Sequence, residues 1–251
     1  METINIRPAN MPASWAAGID SLVSLQAAIG VNSTHTETWL DKFLTADPTC
    51  LKIKEVCRTI SQFTPIQTIL ITGPSGHGKE ILANALHWRP TSPFVPVNCA
   101  AIPDTLITSI LFGHVKGIFT GAQEDRPGVF EEAADGTVFL DEIGDMPGDQ
   151  QCTLLRVLQE RQVVRLGSIK PIPIRCRIVA ATNAPEKLRD DLMGRLMAIR
   201  LDIPPLSTRP DDVQLIAGAL NLPASIYDDN QLNLYGVRYL QSLAMRKMIG
   251  L

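Results

Sequence analysis

Eight consecutive residues, Gly73-Pro74-Ser75-Gly76-His77-Gly78-Lys79-Glu80, carry the first chemistry legible in this 251-residue chain. They follow a short apolar run (TILIT, 68–72) and open a stretch with helical period. Glycines at this spacing let backbone N–H groups curl around phosphate oxygens, and a helix N-terminus behind them adds a positive dipole. Lys79 is placed to reach the β- and γ-phosphates. Glu80 stands where such loops usually carry the Ser or Thr of a metal shell. A plain glycine-rich turn is the alternative for this segment taken alone. The second pattern is Val138-Phe139-Leu140-Asp141-Glu142, an apolar strand ending in two carboxylates. Asp141 can hold Mg²⁺, in part through water. Glu142 can orient and deprotonate an attacking water. Together the two patterns indicate a P-loop nucleoside triphosphatase.

Both sets of residues need one sheet edge to bring them together. From about residue 46 onward the pattern alternates helix and strand. Helices are expected over 51–63, 79–88, 103–112 and 149–161. Strands are expected over 68–72, 94–98, 137–140, 177–181 and 198–201. A hairpin turning at Gly167-Ser168 is expected within 163–174. Short apolar strands separated by helices imply a mainly parallel five-stranded sheet sandwiched by helices, an α/β fold. Strand ends on the same edge then deliver the acids to the phosphate loop. Three regions are expected: an N-terminal helical appendage (1–45) of unknown role, an α/β nucleotide-binding domain (46–206) and a short helical lid (207–251). Within the appendage, Asp20 can cap a short helix, and residues 32–36 read as a polar break.

Composition narrows the classes. Lys and Arg number 23 against 26 Asp and Glu, a net charge of −3, so there is no global basic footprint for nucleic acid. Aromatic residues are only 5%, thin for a base-stacking protein. The cysteines at 50, 57, 99, 152 and 176 are odd in number and show no C-x-x-C spacing. The histidines at 35, 77, 87 and 114 do not cluster with them, so a disulfide scaffold or zinc site is not expected. No apolar run reaches membrane-spanning length, the nearest (11–31) being broken by Asp20. A reducing, cytoplasmic location is expected.

Beyond these patterns, an ordered series of segments resembles one family, the AAA+ domain of the bacterial enhancer-binding proteins that activate sigma-54 RNA polymerase. FVPVNCAAIP (94–103), LFGHVKGIFTGA (111–122), RPGVFEEAADGTVFLDEIGDMP (126–147), LLRVLQERQVVRLGS (154–168), RIVAATN (177–183) and PPLSTRPDDV (204–213) match it in sequence order. The family's phosphate loop is typically GESGTGKE, which accounts for Glu80. The resemblance implies ATP and Mg²⁺ as cofactors, with hydrolysis in a self-associated ring, a hexamer in the family. It implies that Gly117-Ile118-Phe119-Thr120-Gly121-Ala122 is the GAFTGA-type loop that contacts sigma-54 RNA polymerase holoenzyme. Asn98 would hold Glu142 until the γ-phosphate is sensed, Thr182 and Asn183 would form sensor I, and Arg189 and Arg195 would be arginine fingers supplied to a neighbouring subunit. Arg238, in a short match to GNVREL, would be sensor II in the lid.

Departures from the pattern are also legible. Ile110 and Val115 replace glutamates, Ile118 replaces an alanine inside the partner loop, and Pro74 and His77 alter the phosphate loop. The spacing from Asn183 to Arg189 is short, and the lid between Leu206 and Arg238 is compressed. No helix-turn-helix is legible after Arg238, so direct binding of specific DNA by this chain is not expected. Two alternatives to a sigma-54 activator remain open at this level: a nucleotide-binding regulatory subunit with little ATPase activity, and an AAA+ remodeller of another client.

Overall fold

In the computed structural model the described residues are 33–62 and 67–219. Five strands make the central sheet: β1 (Thr68–Thr72), β2 (Phe94–Asn98), β3 (Thr137–Asp141), β6 (Arg177–Thr182) and β7 (Ile199–Asp202). Their spatial order is β2-β3-β6-β1-β7, and every pairing is parallel. The mainly parallel sheet expected from sequence is therefore wholly parallel. The separate pair β4 (Gln162–Val164) and β5 (Pro171–Pro173) forms the antiparallel hairpin around Gly167.

Helices cover both faces, and the period-2 alternation of the strands assigns them. On one face Leu70, Val138, Leu140, Ile178 and Ala180 pack with α4 (Asp104–Phe112), α5 (Val129–Glu132), α6 (Gly148–Glu160) and α7 (Asp190–Leu196). On the other, Ile69, Ile71, Phe139, Val179, Ala181 and Leu201 pack with α1 (Ser33–Lys42), α2 (Pro48–Ser61) and α3 (Lys79–Ala85). The helix α8 (Pro210–Ala219) begins the segment expected as a lid. The remainder of that segment, Arg238 included, lies outside the described residues, as does the Asp20 helix.

Two expectations are corrected. Residues 33–36 are the first turn of α1, not a polar break. Leu40 and the following Phe43 are buried against α3, so tertiary packing overrides the weak helix propensity of Ser and Thr. The helix expected to reach Trp88 stops at Ala85, where Leu86 leaves the helical region. One buried cation explains how that end is held. Arg177 donates to Leu86 O (2.8 Å) and Ile60 O (3.0 Å), terminal carbonyls of α3 and α2. A positive charge there satisfies orphan acceptors and opposes both helix dipoles.

Candidate functional site

Because the sheet is parallel, the carboxyl ends of its strands share one edge. β1 runs out at Thr72 into the phosphate loop, which turns into α3 at Lys79. The adjacent strand β6 delivers Thr182 and Asn183, and the next, β3, delivers Asp141 and Glu142. Asn98, at the end of β2, is in register with Asp141. An open cleft of about 510 Å³ at this edge is lined by Thr72, Gly73, Pro74, Ser75, Asn183 and Pro185, with Ile203 and Pro205 from the chain after β7.

The loop conformation depends on glycine most clearly at Gly78. Its φ is +91°, and a Cβ there would lie 2.7 Å from Phe43 Cε2. The turn thus combines a left-handed backbone with a close aromatic neighbour, and only a residue without a side chain satisfies both. Lys79 follows, 5% exposed, and its Nζ donates to Gly73 O (3.1 Å) and Pro74 O (3.4 Å). It also lies 3.4 Å from Glu142 Oε1. Gly76 is also left-handed, and His77 turns its ring back so that Nδ1 lies 3.0 Å from Ser75 O. Burial holds the His77 pKa below its ordinary value. Glu80 is exposed, with its side chain outside this network.

Glu142 is the geometric centre. Its backbone is left-handed (φ 49°, ψ 45°), a strained conformation for a residue with a side chain, held as the chain leaves β3 for a 3₁₀ turn at Ile143–Asp145. One carboxylate oxygen faces Lys79, and the other accepts the Asn183 N–H at 3.2 Å. The structure therefore brings Lys79, Glu142 and Asn183 into one network. Asp141 stands beside it, half-buried, with Oδ1 accepting the Glu142 N–H at 3.0 Å. Burial raises the Asp141 pKa, and the Glu142 charge adds to the rise. A divalent cation beside Asp141 would relieve what burial and the neighbouring Glu142 charge cost its ionised form.

Other expected residues stand apart from this network. The Asn98 side chain is engaged locally, with Oδ1 accepting the Ala100 N–H (3.0 Å). Thr182 is fully buried, and its hydroxyl accepts from Ala184 N rather than facing the cleft. Arg189 caps α7 and is ion-paired to Asp191 of its own chain through Nε (3.0 Å) and Nη2 (2.8 Å). Arg195 is exposed on the same helix. Neither arginine joins Lys79 and Glu142. Sequence reading missed Asp202, whose carboxylate bonds the Thr72 hydroxyl below the loop, and Phe43, which backs Gly78. Strand-end position was a usable signal for Asp202, whereas nothing in the local sequence marks Phe43.

The loop after α4 is closed on itself. Gly117 N donates to Ala122 O (2.8 Å), and Ala122 N to Phe119 O (3.0 Å). Gly117 and Gly121 have φ of +83° and +102°. Ile118 is 44% exposed and Phe119 42%, and Thr120 is exposed, whereas Ala122 is buried at the base. Phe119 is only partly presented, because its ring lies 5.0 Å from that of buried His114.

A parallel sheet with a phosphate loop, an acidic strand end and a neighbouring polar strand end is the architecture of an AAA+ P-loop domain. Comparison with known proteins makes the assignment narrower. The family profile described as "Sigma-54 interaction domain" matches residues 45–202, more than half of the chain, and the chain belongs to that family. Transcriptional regulatory protein GlrR of Escherichia coli (strain K12) is 45% identical over 194 residues, 73% of this chain and 43% of that protein. DNA-binding transcriptional regulator NtrC of Salmonella typhimurium is 49% identical over 160 residues, 60% of this chain and 34% of that protein. The crystal structure of NtrX from Brucella abortus in complex with ATP superimposes with a TM-score of 0.66 at 26% identity, covering 94% of this chain and 56% of that one. The chain thus spans less than half the length of these two curated relatives.

Proposed function

We propose that this chain binds and hydrolyses ATP and uses the cycle to remodel sigma-54 RNA polymerase holoenzyme, activating transcription from the cytoplasm. The observation that carries this reading is the Lys79–Glu142–Asn183 network at the strand edge, in a chain whose family is defined by sigma-54 interaction. Backbone N–H groups of residues 73–79 would cradle the phosphates, and Lys79 would turn from the Gly73 and Pro74 carbonyls to the β- and γ-oxygens. Asp141 would hold Mg²⁺, which supplies charge neutralisation at the phosphates. Glu142 would orient and deprotonate the attacking water, with Asn183 reporting the γ-phosphate. Arg189 and Arg195 would act on a neighbour's nucleotide, which calls for a head-to-tail ring, a hexamer on the family pattern. Residues 117–122 would be the contact with sigma-54, with Phe119 as anchor.

A second reading, a nucleotide-binding subunit with little turnover, draws on the Arg189–Asp191 pair, which holds one finger within its own chain. One experiment separates them: ATP turnover per subunit across a protein concentration series, for wild type, Glu142→Gln and Arg195→Ala. An activator shows turnover rising with assembly and lost in both variants. Nucleotide binding with a flat, near-zero rate supports the second reading instead. An active ring that does not capture sigma-54 points to another client, and one that captures it equally with Phe119→Ala removes Phe119 as the anchor.

A further inference from the structure

We propose that Gln151 is a positioning residue, one that ties the arginine-finger helix to the two strand ends that sense the nucleotide. It lies in the first turn of α6, 3% exposed, and each polar atom of its side chain is used. Nε2 donates to Met146 O at 2.9 Å and to Lys187 O at 3.3 Å. Oε1 accepts the Arg189 N–H at 2.9 Å. These three partners close three different segments. Met146 ends the turn that leaves Glu142, Lys187 ends the 3₁₀ turn (Pro185–Lys187) that leaves Asn183, and Arg189 is the N-cap of α7.

The side-chain chemistry is specific. Two acceptors and one donor converge on one buried point, and only an uncharged amide offers two N–H donors and a carbonyl together. The orientation is fixed by the backbone, since the Arg189 N–H can face only the oxygen. A carboxylate would lose both donors, and a methionine would leave three backbone groups, buried or partly buried, without this partner. The turns it joins also touch each other directly. Lys187 Nζ pairs with Asp145 Oδ1 at 2.7 Å, and a Cβ on Gly144 would lie 2.7 Å from Thr182 Oγ1. Movement of Glu142 or Asn183 is thereby passed to the backbone that carries Arg189, and Gln151 is the joint. This inference rests on the reading of Arg189 as a finger that acts on a neighbouring subunit.

The test uses the full chain. Gln151→Met keeps length and packing but removes the three hydrogen bonds. It is expected to bind a fluorescent ATP analogue within about threefold of wild type, while turnover falls on the order of tenfold to a hundredfold. An equimolar mixture with Glu142→Gln is then expected to regain several times the summed turnover of the two parents. In mixed rings a Glu142→Gln subunit brings a well-placed finger to an intact Gln151→Met site. Arg189→Ala mixed with Glu142→Gln is the reference and is expected to recover in the same way. Gln151→Ala, which leaves room for water at the three backbone groups, carries the same mixing test where methionine does not fold. Recovery in the Arg189→Ala mixture with none in the Gln151 mixtures overturns the proposal, as does a tenfold loss of nucleotide affinity in Gln151→Met. No recovery in the Arg189→Ala mixture overturns the trans-finger reading itself and this inference with it.

Discussion

Removing the Asp212 carboxylate tests how the start of α8 is joined to the nucleotide domain. Asp212 is fully buried and accepts four hydrogen bonds: from Thr45 Oγ1 (2.7 Å), Ala46 N (2.5 Å), Asp47 N (3.1 Å) and Arg209 Nη1 (2.6 Å). The first three come from the segment that leads into α2, so one carboxylate clasps the beginnings of α2 and α8. Asp212→Ala leaves the Arg209 guanidinium, itself 4% exposed, without its counter-charge, and leaves the Ala46 N–H without its acceptor, while Asp47 N keeps Thr45 Oγ1 at 3.1 Å. Breaking a buried pair by removing one partner costs about 3–5 kcal/mol. For a domain of this size that is a fall in Tm of roughly 6–20 °C, at 2–4 °C per kcal/mol. Asp212→Asn keeps an acceptor for the backbone donors and should cost less. Arg209→Met in the Asp212→Ala background should recover part of the loss, since the stranded charge is gone. Burial pushes the Asp212 pKa up, but hydrogen bonds from Thr45, Ala46, Arg209 and Asp47 outweigh it, and the pKa is lowered overall. With the folded value depressed, this stabilisation is complete above the ordinary carboxylate range and is lost as pH falls through the folded value. Urea unfolding followed by circular dichroism at pH 7 is the assay. A loss under about 1 kcal/mol for Asp212→Ala, with an unchanged m-value, would refute the account.

Two further outcomes are expected. His87, buried with Nδ1 at 2.9 Å from Thr137 Oγ1, has its pKa lowered by desolvation to about 4. The unfolded chain takes up the proton first, near pH 6.5, so stability is complete above that value and falls as pH drops toward 4. The loss between pH 7 and pH 5 is about 2 kcal/mol from this one group. A His87→Gln variant whose unfolding free energy falls just as steeply over that interval would contradict it. Gly78→Ala forces a Cβ to a φ of +91° and to 2.7 Å from Phe43, and should weaken binding of a fluorescent ATP analogue about tenfold or more. Unchanged affinity would mean that this turn does not shape the phosphate cradle.

The sheet was legible because its strands are short, apolar and separated by amphipathic helices, which leaves a parallel α/β arrangement as the economical packing. Lys79, Asp141 and Glu142 were legible for a related reason: their positions follow from the ends of strands, which local pattern marks. What escaped were contacts made across the chain. Phe43 against Gly78 and Asp212 against Thr45–Asp47 join segments far apart in sequence, and neither end carries a periodic sign. The polar reading of 33–36 failed similarly. Thr36 is buried at 1% exposure against neighbours that the local sequence does not contain. Gln151 sits between residues of helical type and differs from a solvated glutamine only in what surrounds it.

The departures around the loop at 117–122 bear most directly on the contact proposed for it. Read as sequence, Ile110, Val115 and Ile118 subtract two carboxylates and add bulk, which counts against coupling between hydrolysis and loop movement. In the structure the three side chains make apolar contacts, although Ile118 stays 44% exposed. Ile110 packs on the core cluster beneath α4. Val115 and Ile118 both reach the turn of the β4–β5 hairpin, where a Cβ on Gly167 would lie 2.8 Å from Val115 Cγ2 and 2.9 Å from Ile118 Cδ1. The hairpin is in turn fixed to α5 by the Arg165–Glu131 pair, with contacts of 2.8 and 2.6 Å, and Val115 N bonds Leu166 O at 3.0 Å. A charged contact holds over distance and weakens with salt, whereas a packed apolar contact is short-ranged and indifferent to salt. Loop and hairpin are therefore joined here by packed side chains and backbone hydrogen bonds instead of by charge. Gly167 is the position at which added volume would drive the two apart.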